Sequence, residues 1–164
     1  MKIQPQRTPE HIKLGELLAD YQIAMLTFQD GDGNLISQPM GAIEMDGDGA
    51  IWFFTDTTAE RTNHLEKLNL AFSGESDGVY VSLSGSGVLD ESISRKNALW
   101  TPFAEPWFPQ GPASPNLGLL KFVPHVAEYW DAPHSKVVRL FAMAVSIAAS
   151  RPVGLGEHER LTHL

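Results

Sequence analysis

The spacing of apolar positions changes several times along the chain, and each change marks an element. Ile12, Leu14, Leu17, Leu18 and Tyr21 recur at helical spacing behind Thr8-Pro9-Glu10. That triplet offers a capping hydroxyl, a proline at the first helical position and an early acid, so a helix of about three turns is predicted. Ile23-Ala24-Met25-Leu26-Thr27-Phe28 then reads as a strand, Asp30-Gly31-Asp32-Gly33-Asn34 as a turn and residues 35–45 as a second strand. Asp46-Gly47-Asp48-Gly49 is another turn, leading into a third strand over 50–55. Two Asp/Gly turns between β-prone runs describe an antiparallel meander.

Beyond it the pattern predicts a helix over 58–68, with Leu65 and Leu68 facing inward. Strands follow at 70–73 and 80–89, the second alternating small polar with apolar residues as a strand with one buried face should. A short helix is expected at 92–100, a strand at 117–130 and a last helix at 136–149. Between them, residues 101–116 are rich in proline and form a long structured loop. Such loops in compact domains commonly carry function or meet a partner. The polar segment from Arg151 is expected to fray. The chain therefore divides into one domain, residues 1–150, and a flexible tail, residues 151–164. About six short antiparallel strands with few helices indicate a mainly β fold, a small barrel with helical caps.

Composition narrows the function classes. At 164 residues, 43% hydrophobic and 20% charged, the chain is an ordinary globular protein with enough length for a real core. A formal charge of −8 and the lack of any basic run argue against nucleic acid and against an anionic membrane surface as partners. The absence of cysteine removes disulfides, thiolate catalysis and cysteine-based zinc sites. Residues 1–7 lack the apolar core of a signal peptide, and the apolar stretch 140–149 is about half a membrane span. A reducing cytoplasm is the expected setting.

Candidate chemistry begins at residues 51–61. The strand Ile51-Trp52-Phe53-Phe54-Thr55 delivers hydroxyls and Arg61 to the start of the expected helix, where free backbone N–H groups favour an anion. Trp52 and the two phenylalanines add flat apolar surface, so a phosphorylated, ring-bearing ligand is the first hypothesis. The bland alternative is an ordinary helix start with a solvated arginine. The turn at Asp30, Asp32 and Asn34 superficially resembles a calcium loop, but Leu35 and Gly41 stand where that loop needs glycine and glutamate. The six histidines are scattered without metal-ligand spacing. Gly85-Ser86-Gly87 lacks the strand-to-helix setting of a nucleophile elbow. Of the tryptophans at 52, 100, 107 and 130, Trp107 is least expected in a core, because it lies with Phe108 in the proline-rich loop.

Five segments together resemble the general stress protein branch of the pyridoxamine 5′-phosphate oxidase-like, FMN-binding split-barrel superfamily. They are Ser37-Gln38-Pro39-Met40, Trp52-Phe53-Phe54-Thr55, Tyr80-Val81-Ser82-Leu83-Ser84-Gly85, Trp107-Phe108-Pro109-Gln110-Gly111-Pro112 and Glu128-Tyr129-Trp130-Asp131-Ala132-Pro133-His134-Ser135-Lys136. Each is weak alone; five in order from about residue 9 to 141 are specific.

The resemblance implies a six-stranded antiparallel split β-barrel with peripheral helices, paired as a homodimer with FMN at the subunit interface. It places Gln38, Pro39 and Met40 along the flavin, and Phe54 and Thr55 against the flavin or its phosphate. Trp52 and Thr58 belong to the same strand–helix segment, with Arg61 as the basic phosphate ligand. Trp107 and Trp130 would approach the ring, one or both from the other subunit, and Tyr80 or Ser82 would contribute across the barrel. Two departures stand out: Gln38 replaces an arginine of the family pattern, and Glu60 stands where the oxidase proper often has a second basic residue. FMN binding looser than in the oxidase is therefore expected. The Arg-x-His substrate signature of the oxidase is not evident near Ser135–Arg139, which argues against pyridoxamine phosphate oxidation. Three readings stay open: a flavin-dependent oxidoreductase acting on a small molecule with a nicotinamide reductant, a non-catalytic flavin carrier or sensor in a stress response, and a split barrel using haem or a deazaflavin instead.

Overall fold

A computed structural model describes residues 1–74, 78–131, 157–162 and 164. The helix expected over 136–149 lies outside them. In chain order the elements are β1 (Lys2–Ile3), α1 (Pro9–Leu18), β2 (Ile23–Gln29), β3 (Leu35–Met45), β4 (Ile51–Asp56), β5 (Leu68–Gly74), β6 (Val79–Asp90), α2 (Ile93–Leu99), β7 (Leu117–Asp131) and β8 (Glu157–Thr162). Three 3₁₀ turns join them, at Glu60–Asn63, Pro102–Ala104 and Gly111–Ala113.

The expected barrel is present. Strands run β3-β2-β5-β6-β7-β4 with every neighbour antiparallel, and β4 pairs back onto β3 to close the ring. Closure joins the six strands into a ring, although β3 and β7 extend beyond their pairing with β4. β1 adds to β3 in parallel and β8 adds to β7. The two Asp/Gly turns behave as their sequence requires: Gly33 at φ 87° and Gly49 at φ 83° take the left-handed conformation that glycine adopts without penalty. Asp30 accepts from the backbone N–H groups of Asp32 and Asn34, which makes that segment a hairpin turn.

Side chains that alternate inward fill the barrel. Leu26, Phe28, Phe53, Phe72, Leu83 and Phe122 are each 2% exposed or less and belong to one core cluster, which α1 caps through Leu14 and Leu18. β4 departs from alternation because both of its faces are covered. Phe53 points into the barrel, while Trp52 packs outside with Leu99 of α2 and Leu119. That explains an unbroken apolar run in an antiparallel strand. β6 and β7 shift register between Ser84 and Gly85, where a methyl on Gly85 would overlap the Val123 carbonyl.

Two expectations need correction. The helix over 58–68 does not form: the chain makes one 3₁₀ turn at Glu60–Asn63, and Leu68 already belongs to β5. Thr62 Oγ1 donates to the carbonyls of Thr57 and Ala59, at 3.1 and 2.7 Å, and such local side-chain bonds compete with a helix. Leu65 and Leu68 are apolar at a helical interval because one packs against the barrel end and the other starts a strand. Part of the polar segment from Arg151, expected to fray, is instead a strand. Residues 157–162 pair with β7, where Tyr129 Oη donates to Glu159 at 2.6 Å and Arg160 lies 3.6 Å from Glu128.

Candidate functional site

The 3₁₀ turn at Glu60–Asn63 is too short for a helix N-terminal anion site, yet it sets Arg61 beside the end of β4. Arg61 Nε donates to Thr55 Oγ1 at 2.9 Å and Nη1 donates to Gln38 Oε1 at 3.2 Å. A guanidinium has only donors, so the Gln38 amide must turn its oxygen to Arg61 and its NH2 away. Thr55 is fully buried, and its hydroxyl fixes the root of the guanidinium. Burial lowers the Arg61 pKa from its ordinary value, with the Asp56 carboxylate opposing that shift, and the side chain stays charged at neutral pH.

Arg61 lines a cleft of about 1010 Å³ along β3 and the ends of β2 and β4. Gln38, Pro39, Met40, Phe54, Thr55 and Trp107 line it too. Seven of the twelve residues singled out from the sequence thus share one cavity, although they come from β3, β4, the 3₁₀ turn and the 101–116 loop. The loop forms its roof. Phe54 packs against Trp100 and Phe108 at ring separations of 5.6 and 6.5 Å, anchoring the start and the middle of the roof to β4. Phe103 and Trp107 stay 76% and 65% exposed at the cleft.

The other five lie elsewhere on the chain. Trp52 is 6% exposed beneath α2, and its indole donates to Asp46 at 2.8 Å. Thr58 donates to Asp56 through both its backbone N–H and its hydroxyl. Ser82 accepts from Asn69 at 2.9 Å on the outer barrel surface. Tyr80 and Trp130 are cross-strand partners on that surface, 46% and 41% exposed, with Trp130 stacked on His158 at 4.8 Å and 6°.

Reading the sequence missed Ile23, Lys2, Asp56 and Phe103 in the cleft. Asp56 had a signal, because Asp-x-Thr after a strand is an Asx-type turn. Its carboxylate accepts from Thr58 and, at 2.7 Å, from Asn116, tying the far end of the roof loop to β4. These hydrogen bonds, Thr58 foremost, hold its pKa below 3.8. Lys2 had none, since its place depends on β1 docking beside β3.

The fold is thus a closed antiparallel barrel with a basic group, Arg61, in an aromatic-walled cleft. The sequence matches the family model described as pyridoxamine 5′-phosphate oxidase like over residues 10–152, and the chain belongs to that family. Among solved structures, a candidate general stress protein 26 from Jannaschia sp. CCS1 is 26% identical, with 90% of this chain and 94% of that one covered at a TM-score of 0.70. The general stress FMN/FAD binding protein of Xanthomonas citri is 30% identical over 75% of this chain and 89% of that one, TM-score 0.64. A protein related to general stress protein 26 from Clostridium acetobutylicum, 23% identical over 76% and 91%, TM-score 0.66, supports the fold alone. No curated protein matches the sequence.

Among the described residues no helix is long and apolar enough to cross a membrane, and no cluster of His, Asp and Glu could hold a metal ion.

Proposed function

We propose that the chain is a flavin-binding member of the general stress protein group and takes FMN in the cleft under the 101–116 loop. The observation that carries this reading is Arg61, half-buried and aimed by Thr55 and Gln38 into a large, mainly apolar cleft. A phosphate needs charge-assisted donors, and an isoalloxazine needs flat apolar walls. The donor set fits. Among the described residues two of the five guanidinium N–H groups are engaged, and the other three, with the Gln38 amide, would serve a phosphate.

Each residue of the cleft then has a task. Thr55 and Gln38 orient Arg61 on the phosphate, Pro39 and Met40 line the ring, and Phe54 backs it, held by Trp100 and Phe108. The roof loop with Trp107 excludes water. Bound FMN would supply hydride and one-electron chemistry. Among the described residues the cleft's ionisable side chains are Lys2, Asp56 and Arg61, and Asp56 is committed to Thr58 and Asn116. No side chain there is poised as a general acid or base. That leaves two outcomes for the flavin: an oxidoreductase relying on the cofactor's own chemistry, or a carrier or sensor that only holds it.

A second copy of the chain completes the proposal. The outer faces of β2, β6 and β7 leave Ile23, Met25, Tyr80 and Trp130 between 41% and 62% exposed on one side of the barrel, an apolar surface suited to a homodimer. Trp130 and Tyr80 would then meet the cofactor across the interface. The relative from X. citri described as FMN/FAD binding is consistent with this reading.

The test is a fluorescence titration of flavin-free protein with FMN, followed by NADPH consumption with oxygen as acceptor. Saturable binding with steady turnover supports the oxidoreductase, and binding without turnover supports the carrier. No saturable binding below about 1 mM, the weakest end of specific affinities, would remove both.

A further inference from the structure

Glu44 sits in β3, 5% exposed, at a position that the flavin reading does not use. Its two carboxylate oxygens bind two different supports of the cleft: the N-terminal strand, whose Lys2 lines it, and the helix that leads into its roof. Oε1 accepts from Arg95 of α2 at 2.9 Å. Oε2 accepts from Gln4 Nε2 at 2.8 Å and lies 3.8 Å from Lys2 Nζ. Lys2 belongs to β1 and lines the cleft on one side. On the other, α2 leads directly into the roof loop and packs on its 3₁₀ turn at Gly111–Ala113. The guanidinium of Arg95 also lies over the Trp52 ring, 4.4 Å from its centroid. Trp52 packs with Leu99 and Leu119, so α2 is seated on β4 and β7 by apolar contact as well.

We infer that Glu44 is a positioning residue for the cleft: one buried carboxylate that clamps the N-terminal strand and the roof-bearing helix in the arrangement the ligand meets. A buried carboxylate is costly unless its lone pairs are met, and here each oxygen has its own donor from a different support. Phe103 and Trp107 of the roof stand exposed, and its other ties are Ala104 and Phe108 packed with Leu117, the buried Ser114, and Asn116 bonded to Asp56. As a statement about the supports this inference stands alone; as a statement about affinity it rests on the flavin reading.

The experiment compares wild type with Glu44→Gln, which keeps the shape and the acceptor but removes the charge opposite Arg95 and Lys2. Two quantities are read: backbone amide exchange by NMR, and FMN affinity with its dissociation rate. In Glu44→Gln, exchange should speed up for amides of residues 101–116 and for Gln4, whose N–H donates to Met45. Amides in the β4–β7 ladder should keep wild-type rates. FMN should bind about tenfold more weakly, chiefly through faster dissociation. Unchanged exchange at both supports overturns the clamp, and so does uniform acceleration that includes β4–β7, because Glu44 would then be a general stabilising residue. Faster exchange with unaltered FMN affinity overturns its role in ligand binding. If wild-type protein takes no FMN, the flavin reading falls and the exchange arm still decides the clamp. Should Glu44→Gln fail to fold, Arg95→Gln serves instead: roof amides must speed up while Gln4 does not, and any other pattern refutes the assignment.

Discussion

Replacing Arg61 by methionine removes the cleft's best anion donor while keeping much of the side chain's length and apolar stem. Within the chain Arg61 makes two hydrogen bonds, to Thr55 and Gln38, each worth about 0.5–1.5 kcal/mol at a half-buried position. The fold should therefore lose about 1–3 kcal/mol, less than the stability of a typical domain. A phosphate loses more. Charge-assisted hydrogen bonds contribute about 1.5–3 kcal/mol, so FMN should bind about tenfold to hundredfold more weakly to Arg61→Met. Riboflavin, which has the ring system without the phosphate, supplies the control. Parallel fluorescence titrations with FMN and riboflavin should show the FMN advantage collapsing in the variant while riboflavin affinity stays level. Raising ionic strength should weaken FMN binding to wild type more than to Arg61→Met, because the screened interaction is already gone. Equal losses for both ligands would mean that Arg61 shapes the cleft and does not meet the phosphate. An unchanged FMN constant would return it to a solvated role.

Gln38→Leu leaves one guanidinium N–H without its acceptor and removes the amide donor; FMN affinity should fall about threefold to tenfold, less than for Arg61→Met, in the same titration. Asp56 has a folded pKa below its ordinary 3.8, so its hydrogen bonds from Thr58 and Asn116 stabilise the fold above that pH and are lost as pH falls through the lowered value. Urea denaturation between about pH 2 and 6 should therefore show a shallower acid limb for Asp56→Asn than for wild type. Phe53→Ala, at a side chain with 0% exposure, should cost about 3–5 kcal/mol in equilibrium urea unfolding, while Phe103→Ala, at 76% exposure, should stay within about 0.5 kcal/mol.

The barrel was legible because its meander is written locally. Asp-Gly turns at 30–34 and 46–49 separate runs of strand-forming residues, and each turn determines the pairing of its neighbours. Seven cleft residues were legible through resemblance, since five short segments held their order. What escaped depends on contacts between distant residues. The bond between Arg61 and Gln38 spans 23 positions and exists only because β3 and β4 pair and the 3₁₀ turn folds back over them. The helix expected at 58–68 failed for a related reason. Leucines three residues apart satisfy a helical period, but local bonds from Thr62 and the pairing of Leu68 with Gly85 decide against it. Strand β8 was hidden by its polarity. Residues such as Glu159 and Arg160 find partners on β7, and pairing with an existing strand needs no apolar pattern of its own. Trp52 shows the limit of reading aromatics as ligand surface. Arg95 and Lys121 lie over its ring and its indole bonds Asp46, which a linear motif does not reveal.

The central claim is that the phosphate of FMN rests on Arg61, with the ring in the cleft beneath the 101–116 loop. A crystal structure of the protein soaked with saturating FMN tests it directly. The account expects the phosphate within hydrogen-bond distance of the Arg61 guanidinium and the Gln38 amide, and the ring against Pro39, Met40 and Phe54. Flavin bound with its phosphate away from Arg61, or a cleft that stays free of it at saturating FMN, would contradict the account.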